Sequence, residues 1–478
     1  MKNLNSIHLF KTALSLASFL FSLNSNPQQN LSNPQTLKTD GNKEFNAIIQ
    51  GNPLTLEAAM NLAEDYSFTA KIAEQDFLIV ESQENSAFRS LFPTISSNAS
   101  YTINSDSVNK LIGTTVGTQA GLPDKTSMLG SISLSQPIIG LYSSLQALQQ
   151  ASALSRASLQ NKAQSKIEAR FSGAQAFINA QKANQLLKTA KSSVEVAEKQ
   201  LSDGNAQYQA GKLTHADLLK FKLEVENSKT SYIQAQTTYK ITLMTLAEAI
   251  GIRNYNSIVL NNSEQSVWET KLPAIPSLES ILEQALAQRH DVLAAKENVL
   301  AANYGKQQKY STYLPSLNFV ATYSRNFSSK DISVNSVIYS AKDIQDTFSY
   351  GVQFSWVIWD WGIRQSQINS TVAAEQKAKY VLENLNLNVR IDITNNYLQL
   401  QNAIQVLDSA KLSVQYAQDV YLQMKARFDN GQVTATDLIS SANAQTTARA
   451  NLANSKGALD LAWISFQKSL GKRLTTLN

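Results

Sequence analysis

The most constraining feature of this sequence is an internal repeat. The segment "YQAGKLTHADLLK" in the first half has a close counterpart in the second half, "FDNGQVTATDLIS", and further matches follow at offsets of 222 and 220 residues. A repeat that covers so much of a chain predicts two copies of one structural unit. We therefore assign residues 54–253 to a first repeat, 277–474 to a second repeat and 254–276 to a linker.

The spacing between matching residues of the two repeats changes from 222 to 220 along the chain, which predicts an exposed loop in each repeat. The change falls between positions 101 and 134 in the first repeat and between 323 and 354 in the second, where the sequence is rich in Gly, Asn and Ser. Surface loops tolerate differences in length, whereas packed elements do not.

The composition excludes several classes of protein. The chain has 478 residues, no cysteine, 17% charged residues and 43% hydrophobic residues, so it is neither disulfide-stapled nor intrinsically disordered. Its 42 basic residues are interspersed with 37 acidic ones and form no dense run. Nucleic acid is therefore not an expected partner.

The N-terminus has the layout of an export signal. Lys2 and Lys11 precede an apolar stretch that suits a secretory signal and, at about a dozen residues, is too short to span a bilayer. We predict a signal peptide at 1–25 and a periplasmic segment at 26–53; the alternative is an amphipathic N-terminal helix. No later segment reaches 18 apolar residues in a row, so no transmembrane helix is expected.

Four segments alternate apolar and polar residues with a period of two, which is typical of β-strands. In each repeat they follow a predicted helix, at 56–91 or 278–314, that ends close to a proline. The strands are predicted at about 92–104, 129–139, 314–327 and 346–359. In an exported protein, strands with a Ser/Thr/Asn face favour a membrane barrel over a sheet half exposed to water. Closure needs about eight strands, so several chains must contribute.

Aromatic residues cluster near the ends of the second and fourth predicted strands. They are Tyr142, Trp356, Trp359 and Trp361. Girdles of such side chains mark the interfaces of membrane barrels, and we predict a membrane belt here. A local aromatic core is the alternative.

Long helices with heptad spacing follow the strands. The predicted seam of the first repeat consists of Ile167, Phe171, Ala174, Ile178, Leu187, Ala190, Val194, Ala197 and Leu201. Adding 220 predicts a second seam of Leu387, Ile391, Thr394, Leu398, Leu407, Ala410, Val414, Ala417 and Tyr421. Each helix would run for about 65 residues, or roughly 100 Å.

The repeated turn is predicted to join each long helix to the next helix. The first turn contains Gly211, Thr214 and Asp217, and the second contains Gly431, Thr434 and Asp437. The glycines suit left-handed C-caps, and the threonines suit N-caps with an aspartate at capping-box spacing. For the aspartates, a capping role and a pore-lining role both remain open.

These features resemble the TolC-like outer-membrane factor family, the trimeric exit ducts of bacterial efflux pumps and type I secretion systems. "LPSLNFVATYSRN", "FSWVIWDWGIRQSQ" and "FDNGQVTATDLIS" are similar to the family's strand, strand-to-helix and helix-tip signatures. The resemblance covers about residues 54–474, in repeated form.

The resemblance implies a mainly α protein with membrane β-structure. A homotrimer would form a 12-stranded β-barrel in the bacterial outer membrane, in contact with outer-membrane lipid, and continue into the periplasm as a 12-helix α-barrel. The repeated turns would form its closed tip and dock a periplasmic adaptor (membrane fusion) protein and an inner-membrane RND or ABC transporter. The docking residues would be Gly211, Thr214, Gly431 and Thr434.

The resemblance also implies a constriction at the tip. Asp437 matches a lumenal carboxylate of the family, and Asp217 matches a latch aspartate. A second carboxylate is common three residues after the first, but this chain has Ser440 there. The constriction would thus be formed by these three residues.

The family's latch is altered in this chain. Phe428 and Val433 occupy the positions of a latch tyrosine and a latch arginine. The latch would therefore be rebuilt from other residues, for example Arg427 or Asp429.

Nothing in the sequence favours catalysis. Three histidines, no cysteine and no G-x-S-x-G or P-loop pattern leave no catalytic or metal-binding motif. We predict a non-enzyme without a cofactor or metal.

The predicted function is the outer-membrane exit duct of a tripartite efflux pump for drugs or other small molecules. The alternative is the outer-membrane component of a type I protein secretion system, which the sequence does not separate from the first because the inner-membrane pump selects the substrate. A structural or adhesive surface trimer is less favoured, since strands at both ends of the helices return the chain to the membrane.

Overall fold

The structure is a computed structural model that describes residues 53–103, 126–252, 255–261, 278–334 and 337–473. The predicted signal peptide, all but the last residue of the predicted N-terminal segment and most of the predicted linker lie outside the described residues.

Both repeats have the same order of elements, two short helices, two strands and two further helices. The elements are α1 (Leu56–Tyr66), α2 (Phe68–Arg89), β1 (Thr94–Ile103), β2 (Thr126–Ile139), α3 (Leu141–Gln209), α4 (His215–Ala249), α5 (Leu278–Gln288), α6 (His290–Tyr310), β3 (Ser316–Val334), β4 (Val337–Ser355), α7 (Ile363–Asp429) and α8 (Ala435–Ser469). Helices α3 and α7, of 69 and 67 residues, confirm the two predicted long helices. Within the described parts of the chain, no helix is long and apolar enough to cross a membrane.

The first helix of each repeat is broken, whereas the sequence predicted it to be continuous. Ser67 is extended (φ −61°, ψ 148°) between α1 and α2, and its hydroxyl accepts a hydrogen bond from the Ala70 amide at 3.2 Å. Arg289 makes the equivalent break between α5 and α6 (φ −62°, ψ 128°). Its Nη1 donates to the Ser469 carbonyl at 2.6 Å. The contact between Arg289 and Ser469 therefore stabilises the extended conformation that separates α5 from α6.

The helices lie side by side in a row of four on each side of these breaks. On the side of the sheet the row is α2, α3, α6 and α7; on the other side it is α4, α3, α8 and α7. The long helices α3 and α7 run through both rows. Helices α2, α4 and α7 consequently lie at the edges of the rows and each have one side without a neighbour within the described chain.

The main hydrophobic core lies where α1, α3, α4, α7 and α8 meet and contains residues of both repeats. Met60, Ile178, Leu246, Ile393 and Ile464 are fully buried in it. Burial of each such side chain stabilises the fold by about 1.5–3 kcal/mol. The two repeats therefore form one unit rather than two independent domains.

The predicted seam of the second repeat is wrong in its first half. Leu387, Ile391 and Leu398 are exposed, whereas Val389, Ile393 and Leu400 of the same helix are buried. The predicted seam of the first repeat is buried or half-buried throughout. Helix α7 lies at the edge of the rows and has two apolar faces, one buried and one exposed. The second seam was predicted by adding 220 to the positions of the first, and this placed its first half on the exposed face.

The four strands form one antiparallel sheet in the order β1-β2-β3-β4. Strands β3 and β4 are 19 residues each, longer than predicted, and pair continuously from Ser316 with Ser355 to Val334 with Val337. Most of the predicted second loop is therefore strand. Backbone hydrogen bonds between paired strands can extend a hairpin that has no apolar face. The apolar and polar residues alternate only weakly in this part of the sequence, so the alternation did not predict these strand ends.

The fourth strand also ends earlier than predicted. It stops at Ser355, so that Trp356, Trp359 and Trp361 follow the strand. Trp361 has a left-handed backbone (φ 56°), and Asp360 accepts hydrogen bonds from the Gly362 and Arg364 amides at 3.1 Å each. This turn connects β4 to the start of helix α7.

Candidate functional site

The candidate site is the end of the molecule where α3 joins α4 and α7 joins α8. Gly211 and Gly431 are left-handed there, with φ of 70° and 71°. The Gly211 amide donates to the Tyr208 carbonyl, and the Lys212 amide donates to the Gln207 carbonyl, both at 2.9 Å. This pair of bonds is a Schellman motif, and the second turn repeats it. The predicted left-handed C-caps are present.

The threonines and aspartates form the predicted N-caps. The Asp437 amide donates to Thr434 Oγ1 at 3.2 Å, and Asp437 Oδ2 accepts from the Thr434 amide at 2.9 Å and the Thr434 hydroxyl at 2.7 Å, which completes a capping box. In the first turn the Thr214 hydroxyl donates to Asp217 Oδ2 at 2.6 Å. Capping therefore accounts for both aspartates within one chain.

These contacts keep both carboxylates ionised. The hydrogen bond from the Thr434 hydroxyl, with help from the Thr434 amide, lowers the pKa of Asp437 below its ordinary value. The Thr214 hydroxyl, followed by Lys220, lowers the pKa of Asp217 in the same way. Both groups carry negative charge near neutral pH.

A lysine connects the two turns. Lys220 Nζ lies 3.1 Å from Asp217 Oδ1 and 3.1 Å from the Thr436 hydroxyl of the other hairpin. Lys220 is half exposed and provides a polar contact between the start of α4 and the start of α8. The sequence analysis missed Lys220. The Asp–Lys spacing was visible, but the partner in the second hairpin is 216 residues away.

Aromatic packing joins the same two hairpins. Phe221 and Phe428 meet edge to face with ring centroids 5.8 Å apart, and both are buried. Leu438 completes this small core. A Cβ on Gly204 would lie 2.8 Å from the Phe221 ring, so only glycine allows α3 to approach it. Phe428, which stands where the related family has a tyrosine, is thus an apolar anchor.

The other predicted tip residues differ in their surroundings. Arg427 and Asp429 are exposed at the end of α7, and the suggestion that they rebuild a latch stays a prediction. Val433 packs against the tip core. Ser440 is exposed one turn after Asp437.

The predicted aromatic belt is exposed at the junction of the sheet and the long helices. Tyr142, Trp356, Trp359 and Trp361 have 48%, 51%, 73% and 88% of their surface exposed. The Trp356 indole N–H donates to the Tyr313 carbonyl at 3.2 Å, and Trp359 and Trp361 meet edge to face at 5.8 Å. These side chains do not form a buried aromatic core.

Three comparisons with known proteins bear on this architecture. The sequence model of the family described as "Outer membrane efflux protein" matches residues 73–252 and 281–472, which is most of the chain. The chain belongs to the outer membrane efflux protein family. It is similar over 178 residues, with 26% identity, to the pyoverdine export outer membrane protein OpmQ of Pseudomonas aeruginosa; the alignment covers 37% of this chain and 38% of OpmQ.

Solved structures of two outer membrane proteins share the fold. The CmeC channel of Campylobacter jejuni is 17% identical, with a TM-score of 0.71 over 88% of this chain and 89% of CmeC. VceC of Vibrio cholerae is 14% identical, with a TM-score of 0.70 over 86% of this chain and 95% of VceC. These solved structures confirm the predicted fold class, a mainly helical chain with a small antiparallel sheet.

Family membership confirms two further predictions. The protein is an outer-membrane channel that extends into the periplasm, and it is a transport duct rather than an enzyme. Among the described residues no group of His, Asp and Glu side chains is placed to hold a metal ion.

Proposed function

We propose that this outer membrane efflux protein is a homotrimeric exit duct that passes small molecules from an inner-membrane pump across the periplasm and the outer membrane. A periplasmic adaptor would join the pump to the duct at the helix tips. The observation that carries this proposal is the open four-helix row, whose edge helices α4 and α7 expose matching apolar stripes.

The stripe on α4 consists of residues on one helical face. They are Leu219, Leu223, Ile233, Ile241 and Met244, each between 45% and 62% exposed. The stripe on α7 consists of Leu387, Ile391, Leu398, Leu412, Tyr416 and Val420, each between 46% and 63% exposed. Heptad-spaced apolar stripes associate with other helices. Three rows joined α4 to α7 would give a closed ring of twelve helices.

The sheet supports the same stoichiometry. Its outer strands β1 and β4 each have an unpaired edge within the described chain, and unpaired edges favour further pairing. Four strands do not close a barrel, but twelve do. Pairing of β1 with β4 of a neighbouring chain joins the protomers in the same order as α4 and α7.

The tip is the proposed site of docking and gating. Gly211, Thr214, Gly431 and Thr434 shape the hairpin ends that would meet the adaptor. In a trimer, Asp437 and Ser440 would line the constriction, and Asp217 would contribute through Lys220 to the closed state. The exposed Trp and Tyr residues near the sheet would form the periplasmic aromatic belt of the barrel.

Small-molecule efflux is favoured over protein secretion. The curated relative OpmQ is named for pyoverdine export, and pyoverdine is a small molecule rather than a protein. The exported compound itself is a property of the pump that the duct serves.

A gene deletion tests the proposal. Loss of the gene should raise the intracellular accumulation of a fluorescent small-molecule efflux substrate and lower resistance to small-molecule toxins, while the set of secreted proteins stays unchanged. Re-expression of the wild-type gene should restore both. Normal accumulation together with loss of a secreted protein would instead favour type I secretion and contradict the proposal.

A further inference from the structure

Among the described residues, the outward face of the sheet carries an ion pair, Arg325–Asp346, surrounded by apolar side chains. Arg325 Nε and Nη2 donate to the two carboxylate oxygens of Asp346 at 2.6 and 2.7 Å. The alternation of the strands places this pair on the same face as Tyr323, Phe327 and Phe348. In a membrane barrel, this apolar face is the one in contact with lipid.

The pair lies near the end of the sheet that is distant from the helices. Arg325 is eight residues along β3 from Leu317, which corresponds to about 26 Å of strand, or about 20 Å of height at the usual tilt. The apolar band of such a barrel is about 25 Å tall. The pair thus lies at the outer interface, where lipid headgroups begin and where a charged side chain is tolerated.

Small residues leave open space beside the arginine. The register places Ala99 and Gly130 in one row with Arg325 and Asp346, and a Cβ built on Gly130 would meet nothing within 4 Å. The rows on either side contain larger side chains, Tyr101, Met128 and Phe327 towards the outer end and Ile132 and Tyr323 towards the helices. The result is a shallow notch with apolar walls and a guanidinium at one end.

The hydrogen-bonding capacity of the pair is uneven. Asp346 uses both carboxylate oxygens on Arg325, and Tyr323 bonds to it as well. Arg325 has five N–H donors, of which Asp346 takes two. Tyr323 also hydrogen-bonds to Arg325, so that part of its donor capacity remains, and 46% of the Arg325 side chain is exposed. The site therefore has donors to offer and little acceptor capacity, which favours an anion.

We propose that Arg325 binds the phosphate of a phosphate-bearing lipid of the outer leaflet, with the apolar part of that lipid lying in the notch over Gly130 and Ala99. The guanidinium fork matches phosphate oxygens in geometry and charge. The aromatic and aliphatic walls match the hydrophobic part of the lipid. A trimer has three such sites.

The test uses the purified full-length trimer in a neutral detergent. Diphosphorylated lipid A is added, and the thermal midpoint of trimer dissociation is measured together with lipid binding by native mass spectrometry. We expect the midpoint to rise with diphosphorylated lipid A and not with the dephosphorylated form or with inorganic phosphate. An equal rise with the dephosphorylated lipid, or a rise with inorganic phosphate alone, would overturn the proposal.

Three variants distinguish a lipid site from a structural ion pair. Arg325→Gln should weaken binding of diphosphorylated lipid A by about tenfold or more, the range of one charge-assisted hydrogen bond. Asp346→Asn should strengthen it, because the carboxylate no longer competes for the guanidinium. Gly130→Val should weaken it by filling the notch while both charges remain.

A purely structural pair predicts a different pattern. Arg325→Gln and Asp346→Asn would then lower the midpoint alike, with and without lipid, and lipid binding by Arg325→Gln equal to that of the wild type would contradict the proposal. If Arg325→Gln does not assemble, Arg325→Lys retains the charge without the fork. Reduced lipid binding by that variant supports the site, and unchanged binding contradicts it.

Discussion

At the scale of single residues, the tip is held together by contacts that join distant parts of the sequence. Lys220 bonds to Asp217 in its own hairpin and to Thr436 in the other, while Phe221 and Phe428 pack beneath them. A polar contact on the surface and an apolar one below it therefore restrain the same movement. If the proposed tip opens by separation of the two hairpins, the contact between Lys220 and Thr436 must break, because it spans them.

Lys220→Met should weaken the closed tip. The substitution keeps the aliphatic stem and removes both hydrogen bonds, so we expect a larger single-channel conductance in planar bilayers and unchanged trimer stability. Lys222→Met, at a neighbouring exposed lysine, is the matched control and should leave the conductance at its wild-type value. Equal conductance of the two variants would show that Lys220 does not restrain the tip.

Within one chain Asp437 caps helix α8, and in the proposed trimer three copies of it would line the pore. Capping alone predicts that Asp437→Asn weakens the helix start and leaves ion preference unchanged. A ring of three ionised carboxylates attracts cations, so we expect Asp437→Asn to reduce cation preference and Asp217→Asn, which faces Lys220, to leave it unchanged. Reversal potentials in a salt gradient measure this, and no change in either variant would leave capping as the only role.

The pH dependence of the cap follows from the lowered pKa of Asp437. Since the folded-state pKa is below the ordinary value, the cap stabilises the turn fully above about pH 4 and is lost as the pH falls through the lowered pKa. Loss of cation preference should therefore occur only at strongly acidic pH.

At the scale of elements, each hairpin depends on a left-handed glycine between two long helices. A Cβ on Gly211 or Gly431 would meet no neighbour within 4 Å, so the constraint comes from the backbone rather than from packing. A non-glycine residue in this conformation costs about 1–2 kcal/mol, and a β-branched residue is a clear outlier there.

Gly211→Val should distort the first hairpin end while the trimer and barrel persist. We expect small-molecule export and cross-linking to the adaptor to fall sharply, because the docking surface changes shape. Ala210→Val, at the adjacent residue with φ −79°, is the control and should retain export. Full export by a protein with both tip glycines replaced by valine would rule out docking at the tips.

At the scale of the whole molecule, contacts within the chain join its two ends, and the proposed trimer would add contacts between chains. Within the chain, Glu64 of α1 accepts from Arg170 of α3 at 3.1 Å and from Arg473, beyond α8, at 2.9 Å. Burial, and then the nearby Arg473, lower the pKa of Arg170, whereas Glu64 opposes this effect. The two ends of the described chain are thus joined through one carboxylate.

Glu64→Gln should lower the free energy of unfolding more than Arg473→Gln does. The Arg170 side chain is 3% exposed; Glu64→Gln removes the carboxylate that pairs with it but leaves its hydrogen bond to Asn61, and breaking a buried ion pair costs about 3–5 kcal/mol. Arg473→Gln removes a side chain that is 65% exposed, and we expect a loss of about 1 kcal/mol or less. Chemical unfolding followed by circular dichroism measures both, and similar losses would contradict the assigned role of Glu64.

Between chains, Tyr416→Glu places a charge on the outward stripe of α7 and should prevent trimer formation, since a buried unpaired charge is costly. Gln415→Glu introduces the same charge at the adjacent exposed position and should leave the trimer intact. Size-exclusion chromatography with light scattering in detergent separates the two outcomes. Trimers of normal stability from Tyr416→Glu would show that this stripe is not the interface.

The sequence by itself determined the duplication, the long helices, the four strands and the glycine, threonine and aspartate positions of both turns. These features depend on local rules: the period of apolar residues, the left-handed tolerance of glycine and the spacing of a capping box. For the same reason the fold class and the family were predictable, and so was the exclusion of catalysis.

Only the tertiary structure decided the features that depend on distant partners. The break at Arg289 is held by Ser469, the contact of Lys220 is with Thr436, and the extended ends of β3 and β4 depend on each other's hydrogen bonds. Whether Leu387 or Val389 of α7 faces the core depends on which helices lie beside it. A periodic pattern shows that a helix has an apolar face, but the neighbours decide which of two such faces is buried within the chain.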